Sequence, residues 1–288
     1  MKKKFCLRLE WALFCLFMVS FSALNAQKDN GPRRLRLPYE LKEVSGLAIT
    51  AADSLWWHND SGNSPSLFLS DRSGVLATEL ALPLRNRDWE DLTHDADGNL
   101  YLGDFGDNRR RRDDLKIYRI DPKLMKVDSF PFIYQDGLHH DTEAFLWHQD
   151  TFHLFTKSPI SRDDLMTYHY VLPVAEGPQV AILRDSLPIR KRAVTAAAIH
   201  PETGRVALLA YYYTKRLGFI PYSAANVYFF ENYPEGHFLR GRMRSRRISF
   251  VVATQYESLD FLNADQLLVA SEQTLFIKAK AKRIRRRR

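Results

Sequence analysis

The chain has 288 residues, 45% of them hydrophobic and 12% aromatic, with a formal net charge of +8. That composition supplies the core of one large domain or two small ones and excludes a disordered chain. The basic balance belongs to the ends: residues 1–26 carry +3 and residues 278–288 carry +8, which leaves −3 for residues 27–277.

At the N-terminus, Lys2, Lys3, Lys4 and Arg8 precede an apolar run from Trp11 to Leu24, and Ala26 stands before Gln27. That order is the order of a secretory signal peptide. A retained anchor is the alternative, but a bilayer span needs roughly 20 apolar residues and this run is shorter. Residues 1–26 are therefore expected to be removed, residues 27–32 to act as a linker, and the mature protein to be exported to the periplasm or cell envelope, or secreted. Cys6 and Cys15 both fall in this segment. The mature chain is left without a disulfide, a thiolate zinc site or a cysteine nucleophile, and must be held by its core alone.

Five segments then repeat one pattern. They are Val44–Ala48, Trp89–Thr93, Thr142–Leu146, Thr195–Ile199 and Tyr256–Asp260. Each is followed by a turn and a second apolar strand: Leu55–Trp57, Leu100–Leu102, Phe152–Phe155, Val206–Leu209 and Leu267–Val269. A third strand follows at Leu67–Leu69, Ile117–Ile120, Tyr168–Val171, Val227–Phe230 and Leu275–Ile277. Asp and Gly between them suit tight hairpins, because they tolerate positive φ or bond their own backbone. Aligning Ser45, Glu90, Glu143, Ala196 and Glu257 gives intervals of 45, 53, 53 and 61 residues. Units of short strands at this spacing predict an all-β fold: a single β-propeller over residues 33–277 with five blades, or six if the longest interval hides another. The last unit is one strand short, and Leu35-Arg36-Leu37 is the segment that could close the ring. Residues 217–247 read as the least regular stretch. The basic residues 278–288 read as a disordered tail, able to adhere to an anionic membrane surface.

Inner strands of such a fold converge on its axis. Glu90, Glu143 and Glu257 would therefore meet there, with Ala196 as the exception. Either they cap backbone N–H groups, or they hold a metal together with Asn59 and Asp104, or they face a substrate. Oxygen-rich convergence suits Ca²⁺ better than zinc, so calcium is the one cofactor the pattern allows. Lys157 is a candidate counter-charge. His58, Asn59, Asp60 and Asn63 follow one second strand, and Asp104, Asp107 and Asn108 follow the next. These form either Asx-turns or a site for a small-molecule, sugar or phosphoester ligand. Glu143 and Asp104 are the candidate catalytic carboxylates. Trp56, Trp57, Trp89 and Trp147 read as core between blades. Asp95–Asn99 reads as a hairpin turn, and of the adjacent His139 and His140 at most one could join Glu143. Nucleic acid is not expected as a partner of an exported chain, and a monomer is expected.

On the motifs Ser45-Gly46-Leu47-Ala48, Asp88-Trp89-Glu90-Asp91-Leu92, Asp141-Thr142-Glu143-Ala144-Phe145 and Glu257-Ser258-Leu259-Asp260-Phe261, the chain resembles exported bacterial propellers of the NHL-like, SdiA-regulated and esterase-like-phytase type. The resemblance covers residues ~40–277. It implies an envelope ligand-binding or scaffolding module. Its alternative implication is a Ca-dependent hydrolase of esters, lactones or phosphoesters, with an axial metal held by Glu, Asn and Asp. Here Glu90, Glu143 or Glu257, with Asn59 and Asp104, would stand in those places.

Overall fold

The computed structural model describes residues 32–157, 166–189, 191–216, 220–249, 255–274 and 277–286. The expected signal segment 1–26, nearly all of the linker, and Leu275 and Phe276 lie outside the described residues.

Twenty strands follow one another in chain order. After β1 (Arg34–Arg36), unit 1 holds β2 (Val44–Ala51), β3 (Ser54–Asn59), β4 (Ser66–Ser70) and β5 (Leu76–Ala81). Unit 2 holds β6 (Trp89–His94), β7 (Leu100–Asp104), β8 (Lys116–Asp121) and β9 (Lys126–Tyr134). Unit 3 holds β10 (Thr142–His148), β11 (Thr151–Thr156), β12 (Met166–Pro173) and β13 (Gln179–Pro188). Unit 4 holds β14 (Ala193–Ile199), β15 (Val206–Arg216), β16 (Ile220–Glu231) and β17 (Arg242–Ser249). Unit 5 begins with β18 (Tyr256–Asn263) and β19 (Gln266–Ser271), and ends with β20 (Lys280–Arg285).

Each unit is an antiparallel meander, and units 2 and 3 are stitched by a short parallel pairing of β9 with β13. The strands β18, β2, β6, β10 and β14 pack side by side in that order, and β14 returns to β18. The fold is therefore a closed β-propeller, and these five are its inner strands. The core divides accordingly into five clusters, one in each seam between neighbouring units. Trp56 and Trp89 share the seam of units 1 and 2, Trp57 fills the seam of units 5 and 1, and Trp147 packs against the seam of units 2 and 3. No unit buries both faces alone, so each depends on its neighbours.

The ring closes with the N-terminal strand, as the sequence suggests. β1 pairs antiparallel with β20, matching Leu35 with Ala281. The expected disordered tail is a correction: residues 280–285 form β20, between β1 and β19. Burial of the small and apolar side chains explains why a run of cations can pair here. Ala281 and Ile284 point to opposite faces and are buried in the two flanking seams, while Lys280, Lys282 and Arg283 stay partly exposed. Of the third strand expected at 275–277, only Ile277 is among the described residues, and it forms an isolated bridge to Thr274. The irregular stretch beyond residue 217 is a long hairpin, in which β15 and β16 pair from Val206–Phe230 out to Arg216–Ile220.

At the centre, Asp91 on β6 reaches across the ring. Its Oδ2 accepts N–H bonds from Phe145 on β10 (3.1 Å) and Ala197 on β14 (3.1 Å), and its Oδ1 accepts from Leu92 (2.9 Å). One fully buried carboxylate thus ties three inner strands together.

Removing residues 33–38 should lower the melting midpoint of the whole protein in one cooperative step. Leu35→Ala alone should cost about 2–5 kcal/mol, the usual range for emptying a buried leucine site, because Leu35 is 2% exposed. Thermal or urea unfolding checks both, and an unchanged midpoint would exclude the clasp as a determinant of stability.

Candidate functional site

Every inner strand carries a β-bulge at its start. The register slips between Val44 and Gly46, Trp89 and Leu92, Thr142 and Ala144, Val194 and Ala196, and Tyr256 and Ser258. The bulged residues are Ser45, Glu90 with Asp91, Glu143, Thr195 and Glu257. A bulge bends its strand and re-aims the extra side chain. The alignment on Ala196 is thereby corrected by one residue, because Thr195 is the equivalent and Ala196 lies in the seam of units 4 and 5. Ser45 and Thr195 use their hydroxyls to bind the next inner strand, at Glu90 O (2.9 Å) and Tyr256 O (2.6 Å). The three glutamates cannot donate in that way when ionised, and their charges must be met otherwise.

The second strands supply the rest. Just past β3, β11 and β19, the backbone N–H groups of Asp60, Lys157 and Glu272 donate back to Glu43 O (2.9 Å), Asp141 O (2.7 Å) and Gln255 O (3.1 Å). These three are equivalent, so Lys157 aligns with Asp60 rather than with Asn59 and Asp104, whose counterpart is Thr156. In unit 2, Gly106 donates to Asp88 O (3.2 Å). A Cβ on Gly106 would sit 1.9 Å from Glu90 Oε1 and 2.7 Å from Asp88 Oδ2, so only glycine admits both carboxylates.

The result is an acidic cluster. Asp60, Asp88 and Glu90 bring ligand oxygens within 4.8 Å of one another, and so do Asp60, Glu257 and Glu272, so that Asp60 belongs to both groups. Burial pushes the Glu90 carboxyl well up, with Asp60 adding to it. Burial also raises Glu257, and the neighbouring Glu272 raises it further. Asp60, Asp88, Asp141 and Glu272 are raised in turn, chiefly by burial. Lys157 opposes these shifts at Asp60, Asp88, Glu90, Asp141 and Glu257, and it is ion-paired with Glu143.

The residues expected at the site divide. Glu90, Glu257 and Asp60 lie in the carboxylate groups, with Glu143 and Lys157 as a pair beside them. Asp104 does not join them: its Oδ1 holds Arg112 Nη2 at 2.8 Å and accepts Asp88 N–H at 3.2 Å. Arg112 also donates to Gly106 O (2.9 Å) and Asp114 Oδ1 (3.1 Å). The Oδ1 of Asp104 is thus shared between Arg112 and the backbone of Asp88, apart from both carboxylate groups. Asn59 spends its Nδ2 on Glu40 O (2.7 Å), and its Oδ1 is buried without a hydrogen-bond partner. His58 is sealed beneath Trp89 in edge-to-face contact at 5.9 Å, and burial lowers its pKa to about 4, so it is a neutral packing residue. Asn63 braces the loop through Glu43 Oε2 (2.6 Å) and Asp60 O (3.0 Å). His139 and His140 turn to Arg112 O (3.0 Å) and Asp136 Oδ2 (2.8 Å), and neither joins Glu143. Asp95 closes its hairpin turn as expected, accepting from Asp97, Asn99 and Tyr101.

Asp107 and Asn108 line a cavity of about 240 Å³ that includes Asp88 of the acidic cluster, with Arg109, Arg111 and Arg112. Asp88, Asp141 and Glu272 are the residues that sequence reasoning did not assign. Glu272 was within reach, since it stands one residue past the aligned Ser271, as Asp60 stands one past Asn59.

Because the cluster holds protons that the unfolded chain releases, stability should be fully present below the ordinary carboxylate pKa and fall as pH rises through the raised values. In chelator, the melting midpoint of the wild type should therefore fall relative to that of Asp60→Asn as pH rises above the ordinary carboxylate range. A wild-type midpoint that rises relative to the variant would contradict the assigned shifts.

No protein-family model matches the chain, and no curated protein matches it. Solved structures resemble it in fold. A gluconolactonase from Xanthomonas campestris is 12% identical, with 92% of this chain and 93% of that one covered and a TM-score of 0.49. A PQQ-bound aldose sugar dehydrogenase from Streptomyces coelicolor is 10% identical, covering 89% and 99% with a TM-score of 0.48. An α-L-arabinanase from Penicillium chrysogenum, complexed with arabinobiose, is 9% identical, covering 89% and 98% with a TM-score of 0.48. The likeness is one of β-propeller architecture.

Proposed function

We propose that this protein is an exported ligand-binding propeller that holds a divalent cation at Asp60 and, beside it, a small molecule bearing a phosphate or carboxylate. The observation that carries this reading is the surplus of acid. Among the described residues, Asp60, Asp88, Glu90, Glu257 and Glu272 meet around one lysine, Lys157, which Glu143 already engages. Carboxylates gathered without enough counter-charge either keep protons or take up a cation. The donor set fits a hard cation: it is all oxygen, and oxygens within 4.8 Å of one another are close enough to share one calcium ion. Calcium suits it better than zinc, which prefers nitrogen and sulfur.

Asp60 would bridge the two carboxylate groups, Asp88 and Glu90 would hold one side, and Glu257 and Glu272 the other. When bound, the cation would neutralise the cluster and polarise an oxygen of the ligand. The cavity that shares Asp88 presents guanidinium groups from Arg109 and Arg111, the side chains best matched to phosphate or carboxylate.

A second reading, hydrolysis of an ester, lactone or phosphoester, is favoured by one further observation. Burial lifts Glu90 and Glu257 above the usual carboxylate range, so each holds a proton where an exposed glutamate has lost it, beside the cation site.

Calorimetric titration of the chelated mature protein with Ca²⁺ tests the first reading. One calcium per chain is expected, and Asp60→Asn should weaken it at least tenfold, about 1.4 kcal/mol. Absence of calcium binding by the wild type would overturn the reading. Turnover of p-nitrophenyl acetate or phosphate by the loaded protein, lost in Asp60→Asn, would establish the hydrolase. A loaded protein inert to both would leave the binding module.

A further inference from the structure

Away from the axis, unit 3 contains a polar chain that the cation site does not use. Asp185 on β13 bonds His169 on β12, Oδ1 to Nδ1 at 2.8 Å, and His169 Nε2 bonds Nδ1 of His153 on β11 at 2.8 Å. His169 is fully buried and His153 is 5% exposed. The rings are clamped: His169 stacks between Phe155 (4.8 Å) and Phe238 (5.3 Å), and His153 lies on Phe238 (4.4 Å). The repeat shows how unusual the position is. In register with β10, β11 places His153 opposite Leu146, where the other units place Trp56, Tyr101, Ala207 and Leu268. None of the other four units places a histidine there, and packing alone does not call for one.

The chain runs in one direction. A neutral imidazole carries one N–H. The Asp185 carboxylate accepts, so His169 bears its proton on Nδ1 and accepts at Nε2. His153 must then donate from Nδ1, which leaves a lone pair on its Nε2. Burial favours the neutral form of both rings, against the pull of Asp185 on His169, with Arg184 adding to the effect at both and His148 at His153. His237 Nδ1 stands 3.8 Å from Asp185 Oδ2 at the far end.

His153 lines a cavity of about 400 Å³ at the seam of units 3 and 4, with His148, Thr151, Arg184, Tyr233 and Phe238. Arg184 Nη2 donates to Glu235 O at 3.0 Å and lies along Gly236, where a Cβ would stand 3.0 Å from it and where φ is +64°. Glycine at 236 thus both accepts the left-handed backbone and makes room for the guanidinium.

The geometry points to a second ligand site in this cavity, for a small anion that carries a hydroxyl. Arg184 takes the anionic group, and His153 Nε2 accepts the hydroxyl hydrogen. His169 and Asp185 are positioning residues: they fix the tautomer that makes Nε2 an acceptor. The site is independent of the cation cluster, and Asp60→Asn should leave it unchanged.

Carbethoxylation with diethyl pyrocarbonate, which attacks the bare nitrogen of a neutral imidazole, tests the site in the mature chain with peptide mapping. His153 should react, and lactate should slow its reaction several-fold more than acetate, which lacks the hydroxyl. Arg184→Met should abolish the protection while leaving the reaction itself. Asp185→Asn presents an amide N–H to His169, inverts both tautomers and should make His153 several-fold less reactive. If that variant does not fold, long-range ¹H–¹⁵N correlation on the wild type reads the tautomers directly. An Nε2–H form of His153, an unreactive His153, or equal protection by lactate and acetate would each overturn the proposal.

Discussion

The structure depends on a charge buried where five sheets meet. Asp91 lies on one inner strand and accepts backbone N–H bonds from two others, one of them across the ring. Burial raises its pKa well above the ordinary value, and its backbone donors pull the other way. Leaving those donors without a partner would cost about 1–3 kcal/mol each. That penalty sets the spacing of β6, β10 and β14, and therefore how closely the side chains above them approach.

The bulges act on that spacing. Each one turns a side chain out of the alternation of its strand, and the five units answer with different chemistry. Serine and threonine in units 1 and 4 bond the neighbouring inner strand and tighten the ring. Glutamates in units 2, 3 and 5 bring charge to the same level. Lys157 and the glycine at 106 make the gathering sterically and electrostatically tolerable, yet the acids still outnumber the cations around them. The raised pKa values express the same frustration as the proposed cation affinity: a folded ring stores unfavourable charge that a proton or a metal relieves.

The seams follow a simpler rule. Each is an apolar layer from two neighbouring units, closed at the last seam by β1 and β20. Polar groups in such a layer must be satisfied there. The Asp185–His169–His153 chain meets that demand at Asp185 Oδ1, at both nitrogens of His169 and at His153 Nδ1, while Asp185 Oδ2 stays buried without a hydrogen-bond partner.

The sequence by itself determined the period, the inner and second strands, the clasp at Leu35 and the acids at 90, 143 and 257. Repetition of apolar alternation and turn chemistry is a local signal, and it survives without coordinates. Glu272 was legible as well, had the alignment run one residue further. The tertiary structure alone decided the rest. The tail became β20 because an open edge beside β19 outweighs the solvation of its lysines and arginines, and Ala281 and Ile284 each bury against one flanking seam. Asp104 was claimed by Arg112, a partner in the following loop that no spacing announces. Thr195 replaced Ala196 because a bulge shifts register by one residue without changing composition. The His153 relay draws on three strands and a loop of the next unit, and proximity of that kind exists only once the sheets have packed.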